Sequence, residues 1–165
     1  MTTRRNLLRL GGAGLAAAFG ASWFSQGSRA TTAETYPVSH TDAEWRKLLQ
    51  PDQYTVLRQS GTERPFSSEL LHEERRGNFA CAGCSTDLFS STTKFDSGTG
   101  WPSFWAPLGN AVSTVSDTSF GMTRDAVHCS QCGGHLGHVF DDGPKPTGLR
   151  YCMNGVAMTF KPASA

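Results

Sequence analysis

"CAGC" at residues 81–84 and "CSQCGG" at residues 129–134 carry four of the five cysteines of this 165-residue chain. Each is a C-x-x-C turn with a small or polar interior, which points both thiols the same way and leaves backbone amides near the sulfurs. Two such turns close a tetrahedral site with zinc about 2.3 Å from each sulfur. The segment between them is longer than in a compact zinc ribbon, so one metal held by Cys81, Cys84, Cys129 and Cys132 ties two distant hairpins together. Either pair taken alone also fits a disulfide or a thioredoxin-like redox motif. His135, shortly after Cys132, is an alternative ligand. Two knuckles in one chain favour a single zinc, and a closed set of four thiolates has no open position, so that zinc is structural and the chemistry lies elsewhere.

Around the knuckles, short apolar or alternating runs are punctuated by Gly, Pro, Asp and Ser: 78–81, 88–90, 94–96, 103–105, 111–115, 126–129, 137–140, 150–153 and 157–160. No helix between them is long enough for a crossover, so the strands pair antiparallel. Ahead of them Thr41-Asp42-Ala43-Glu44 has the spacing of a capping box, with Trp45, Leu48 and Leu49 at helical intervals up to Pro51. A second short helix carries Tyr54 and Leu57, residues 61–66 read as an irregular loop, and 67–76 add a further helical turn or two. The expectation is a mostly-β domain over 41–162 with short N-terminal helices. Net charge is +1 and no basic stripe is visible, which argues against nucleic acid as a partner.

Residues 1–33 read as a leader. Arg4 and Arg5 precede a Gly/Ala-rich run from Leu10 to Phe24, and small residues follow, with cleavage expected near Ala30 or Ala33. The pattern resembles a twin-arginine export signal, and the run is shorter than the roughly 20 residues of a spanning helix. An exported, periplasmic protein that crosses the membrane already folded is expected.

Cys152 in "GLRYCMNGVAMTF" (148–160) is the unpaired cysteine. A lone cysteine is a reactive thiol, an intermolecular bridge or a small buried side chain. Arg150 and Asn154 lie two residues to either side, so on a strand all three share a face, a cation to favour the thiolate and an amide to orient a ligand. His135, His138, Asp141 and Asp142 add imidazoles able to deliver a proton, and carboxylates. Taken singly, each histidine is equally a surface or capping residue. In "GTGWPSFW" (98–105) glycines frame Trp101, whose indole can project into a pocket, while Phe104 and Trp105 read as core.

"RPFSSELL", "CAGC", "KFDSGTGWPSF" and "GMTRDAVHCSQCGGHLGHVFDDGPKPTGLRYCMN", in this order, resemble the methionine-R-sulfoxide reductases of the B type, over roughly Glu44 to Phe160. The resemblance implies two antiparallel sheets in a zinc-stapled, tent-like fold. It also implies thiol-dependent reduction of the R-epimer of methionine sulfoxide, free or in proteins, a protein repair under oxidative stress. Carried over by position, Cys152 is the nucleophile and His135 the general acid. His138, Asp142 and Asn154 hold the oxygen or its water, Arg150 favours the thiolate, Trp101 cradles the methyl group and Phe140 lines the pocket. Many members keep a recycling cysteine where this chain has Thr99, so a thioredoxin-like or other dithiol reductant is expected as partner, and the chain is expected to be a monomer. A non-catalytic zinc module that docks a partner, and a thiol-disulfide oxidoreductase using the C-x-x-C pairs, are the competing readings.

Overall fold

Thr41 caps the first helix. Its hydroxyl accepts from the Glu44 amide while the Glu44 carboxylate accepts from the Thr41 amide at 2.8 Å, the expected capping box. The computed structural model describes residues 36–164, so the expected leader at 1–33 lies outside the described residues. Helix α1 (Asp42–Leu48) buries Trp45, and α2 (Pro51–Gln59) buries Tyr54, Val56 and Leu57. Ser60 closes α2 in the left-handed conformation, at φ 55°. Within residues 67–76, where a helical turn or two is expected, the chain makes one 3₁₀ turn at Glu69–His72. The chain beyond it is drawn out toward the first strand, where Gly77 faces Pro162.

Nine strands follow: β1 (Gly77–Cys81), β2 (Asp87–Ser90), β3 (Lys94–Phe95), β4 (Ser103–Phe104), β5 (Val112–Asp117), β6 (Arg124–Cys129), β7 (His135–Phe140), β8 (Arg150–Met153) and β9 (Met158–Pro162). They make a 3-stranded sheet in the order β2-β1-β9 and a 6-stranded sheet in the order β3-β4-β8-β7-β6-β5, and all the pairings are antiparallel. The mostly-β, two-sheet expectation holds. The sheets meet through aromatic rings: Phe89 of the small sheet stacks on Phe104 of the large one at 4.4 Å, and Phe79 meets Phe104 edge-on at 4.9 Å. All three rings are fully buried.

The two knuckles are copies of one local structure. Cys81 and Cys129 each accept at their carbonyl from the amide four residues on, Ser85 and Gly133, and each donates its own amide to the carbonyl beyond, Thr86 and Gly134. Ser85 and Gly133 take the same left-handed conformation, φ 60° and 67°. Cys81 ends β1 of the small sheet and Cys129 ends β6 of the large one. The sulfurs stand 3.7 Å apart for Cys81–Cys132 and 3.5 Å for Cys84–Cys129, with all four within 4.8 Å. Sulfurs about 2.3 Å from a tetrahedral zinc are about 3.8 Å from one another, whereas a disulfide brings them to about 2.05 Å. Contact with Cys129 and the other two thiols, and then burial, push the Cys81 thiol up, while contact with Cys129 and the other two thiols holds the Cys84 thiol down; a bound dication takes all four as thiolates. The donor set fits one structural zinc. The N-terminal tail packs on the second knuckle: Val38 donates its amide to Gln131 O at 2.8 Å, and a Cβ on Gly133 would lie 2.3 Å from the Tyr36 ring.

With each sheet supplying one thiolate pair, Cys81→Ser or Cys132→Ser is expected to lose zinc and unfold the domain. Apparent structural zinc binding is worth about 10 kcal/mol or more, largely as folding free energy. Zinc content and a thermal melt check this, and a stable, zinc-free, active variant would contradict it.

Candidate active site

Cys152 stands on β8 between β4 and β7, inside the large sheet, with Ser103 and His138 as its cross-strand partners. Directly opposite residues share a face, so His138 and Cys152 present their side chains to the same side. There they line a cleft of about 130 Å³ together with Trp101, Phe140 and Asn154. Five of the eight side chains singled out for catalysis or substrate binding therefore converge. Thr99 reaches the same sulfur from the loop before β4, with Oγ1 3.7 Å from Cys152 Sγ, so the glycine-framed loop faces the thiol as expected.

Arg150 stands beside Cys152 and over the Phe140 ring, 4.4 Å from its centroid. Asp142 grips the guanidinium through two oxygens, at 2.8 and 2.9 Å. That carboxylate first, and the proximity of Cys152 after it, hold the Arg150 pKa above its ordinary value against the cost of desolvation. The Asp142 side chain itself is 60% exposed and is turned to Arg150, away from the cleft lining. Its placement differs from the expectation that it holds the substrate oxygen, because the arginine takes both of its oxygens.

His135 also departs from expectation. It starts β7 and is 3% exposed, with no hydrogen-bond partner at either ring nitrogen. Burial, reinforced by His128 and His138, pushes its pKa down to about 4, so it is neutral at physiological pH. It packs edge-on to His138 at 5.3 Å and, with His138, Asp117 and Arg124, lines a neighbouring pocket rather than the Cys152 cleft. His138 is the imidazole at the thiol, and its Nε2 lies 2.9 Å from Asp117 Oδ2. The Ser119 hydroxyl and amide, then His138 and Arg124, hold the Asp117 carboxyl well below the usual range. An ionised carboxylate only accepts, so the His138 proton sits on Nε2 in the neutral ring.

Asn154 is fixed from both sides. Its Oδ1 accepts from the Glu63 amide at 2.9 Å and its Nδ2 donates to Leu136 O at 3.0 Å, which leaves one N–H for the cleft. Trp101 Nε1 donates to the Glu63 carbonyl at 3.2 Å. The Glu63 carboxylate in turn accepts from the Gly155 and Val156 amides at 2.6 and 2.9 Å. One loop residue thus holds the indole, the amide and the turn after β8.

Glu63, Asp117, Arg124 and Thr62 were not singled out from sequence. Thr62 and Arg124 line the cleft, and Arg124 donates to Asp117 at 2.9 Å. Glu63 and Thr62 sit in a loop without periodicity, and Asp117 and Arg124 reach the site only through the β5–β6–β7 register. The inclusion of Arg64-Pro65-Phe66 in a family-like stretch was the one available signal for the loop.

β7 and β8 approach closely at Gly137, where a Cβ would lie 2.1 Å from the Cys152 carbonyl oxygen. Gly137→Ala must therefore displace the strand that carries the thiol. About 1 Å of misplacement suffices to lose roughly a hundredfold in rate, so kcat/KM is expected to fall by that order with zinc content unchanged. An activity near wild type would show that β8 is not held at that contact.

The SelR domain family matches residues 49–162 of the chain. The chain is 55% identical over 125 residues to the peptide methionine sulfoxide reductase MsrB of Methanosarcina barkeri, covering 75% of this chain and 88% of that protein. It is 55% identical over 126 residues to the protein of the same name from Pseudomonas putida, covering 76% and 95%, and 50% identical over 127 residues to that of Leptospira interrogans, covering 76% and 97%. With a knuckle-stapled pair of sheets, a cysteine in a cleft with tryptophan, histidine and asparagine, and identities of this size over nearly the full length of its relatives, the chain belongs to the SelR domain family of MsrB peptide methionine sulfoxide reductases.

Proposed function

We propose that the chain reduces methionine R-sulfoxide at Cys152, the reaction of its family. The observation that carries the reading is the convergence of Cys152, His138, Trp101 and Asn154 on one cleft. The Trp101 indole seats the S-methyl group, and Phe140 walls the pocket. The Cys152 thiolate, favoured by the Arg150 guanidinium, attacks the sulfoxide sulfur. Electron density moves to the oxygen, which needs a proton as charge develops. His138, its Nε2–H held by Asp117, takes the Cys152 proton at Nδ1 and supplies it from there as the imidazolium; the free Asn154 N–H steadies the oxygen. Asp142 acts through Arg150, and His135 acts as a neutral wall behind His138. The attack joins Cys152 Sγ to the sulfoxide sulfur; then that S–S bond and the sulfoxide S–O bond break as an S–O bond to Cys152 forms, so methionine leaves as the thioether and the cysteine remains as a sulfenic acid.

Recycling comes from outside, since Thr99 carries no thiol and the other four cysteines belong to zinc. A thioredoxin-like or other dithiol attacks the sulfenic sulfur, water leaves, and its second thiol resolves the mixed disulfide. None of the four knuckle cysteines lines the Cys152 cleft, so a zinc held by them would supply rigidity to the fold and take no part in this step. The protein acts as an exported, periplasmic monomer repairing oxidised proteins, addressed by the twin-arginine pattern at Arg4 and Arg5.

Cys152→Ser is expected to abolish reduction with zinc retained, because a hydroxyl is a far poorer nucleophile at neutral pH. His138→Asn is expected to cost roughly 10² or more in kcat/KM, the usual worth of a positioned acid, and His135→Asn clearly less. Turnover with resolved R and S peptide sulfoxides and a dithiol reads all three. Appreciable activity of the serine variant, or a greater loss at His135 than at His138, would sink the assignment.

For export, Arg4 and Arg5 both replaced by Lys should leave folded precursor in the cytoplasm. Fractionation checks it, and undiminished export would point to another route.

A further inference from the structure

The loop before β4 brings a row of hydroxyls to the thiol. Thr99 Oγ1 lies 3.7 Å from Cys152 Sγ and 2.8 Å from Ser97 Oγ. Ser97 Oγ lies 2.7 Å from Ser103 Oγ, and Ser103 Oγ donates to the Trp101 carbonyl at 3.1 Å. Ser103 is fully buried, so these two oxygens are its hydrogen-bond partners. Each hydroxyl owns one proton, and a carbonyl only accepts. With Ser103 donating to Trp101 O, Ser97 must donate to Ser103 and Thr99 to Ser97. Thr99 Oγ1 then offers Cys152 a lone pair, which fits a thiol. A thiolate needs the opposite: Thr99 donating to sulfur, Ser97 to Thr99 and Ser103 to Ser97, with the Trp101 carbonyl losing its bond from Ser103.

We propose that Thr99, Ser97 and Ser103 form a hydroxyl chain whose polarity reverses when Cys152 ionises. Anchored on the Trp101 carbonyl, the chain restrains the thiolate. Thr99 is the catalytic group that touches the reacting sulfur, and Ser97 and Ser103 are positioning residues that decide where its proton points. The inference rests on Cys152 being the nucleophile. The hydroxyls rotate and hand no proton on; the thiol proton leaves to water or to a base in the cleft, and no bond between heavy atoms changes. The charged and titratable groups around Cys152 are Arg150 on its own strand with Asp142 bound to it, His138 from β7 with Asp117 bound to it, and Arg124 from β6. β4 brings none, and on the loop Asp96 is turned to the Gly98 amide. None of these groups is altered in the variants below.

The test is the pH dependence of Cys152 alkylation by iodoacetamide in the zinc-loaded protein, followed on the Cys152 peptide by mass. Ser97→Ala cuts the chain and frees the Thr99 proton for the thiolate at no cost to the Trp101 carbonyl. The alkylation midpoint is expected to move down by roughly half a pH unit or more, the worth of one neutral hydrogen bond. Ser103→Ala cuts the chain at its carbonyl end and is expected to move the midpoint the same way, which keeps the test open if the Ser97 variant disturbs the loop. Thr99→Val removes the donor and is expected to move the midpoint up, whereas Thr99→Ser keeps it in place. In a Thr99→Val background Ser97→Ala is expected to have no further effect. An upward or absent shift in both serine variants, or a Ser97 effect of equal size without the Thr99 hydroxyl, would overturn the chain. Alkylation does not require turnover, so failure of the chain leaves the nucleophile assignment standing, and loss of that assignment would show only in the Cys152→Ser kinetics.

Discussion

Everything in this fold hangs on four sulfurs drawn to one point. The small sheet ends at Cys81, the large sheet runs β6 into Cys129, and the two turns that follow are superimposable in their hydrogen bonding. The sheets and helices share one buried cluster in which Phe79, Phe89 and Phe104 meet Leu88, Val127 and Leu136, with the knuckle cysteines Cys81, Cys129 and Cys132 at its edge. Joining the ends of the two sheets through one dication supplies stability that burial alone supplies poorly in small domains. The strand that leaves the second knuckle, β7, carries His135 and His138, and its neighbour β8 carries Cys152. The position of the Cys152 sulfur therefore follows directly from the metal turn.

Around that sulfur the structure separates charge from shape. Trp101, Phe140 and the β7–β8 backbone shape the cleft, while the charged partners stand one layer out, Asp142 on Arg150 and Asp117 on His138. Ionised carboxylates kept off the cleft surface orient their partners without repelling an electron-rich sulfoxide oxygen. Glu63 is the third such group: burial raises its pKa, against the pull of the two amides it accepts from. Its backbone simultaneously fixes Trp101 and Asn154, so the walls of the cleft move as one unit.

The architecture was legible wherever local chemistry fixes geometry. The C-x-x-C turns, the capping box at Thr41 and the placing of Arg150 and Cys152 on one strand were readable, because each depends on neighbours within a few residues; Asn154, expected on the same strand, stands just past its end. The helical turn expected within residues 67–76 is the 3₁₀ turn at Glu69–His72. Which of His135 and His138 stands opposite Cys152 was not readable: both follow the same knuckle, and only the β7–β8 register places His138 there. Asp117 and Glu63 were missed for the same reason, their roles being set by contacts far along the chain.

The central claim is that this chain takes one oxygen from a sulfoxide onto Cys152 and keeps its other thiols for zinc. Intact and peptide mass after one equivalent of methionine R-sulfoxide, without reductant and with a sulfenic-acid trap, measures it in a single turnover. The account predicts a trapped sulfenic acid on the Cys152 peptide with zinc fully retained. Loss of two hydrogens with release of zinc, placing a bridge between Cys152 and a knuckle cysteine, would contradict it.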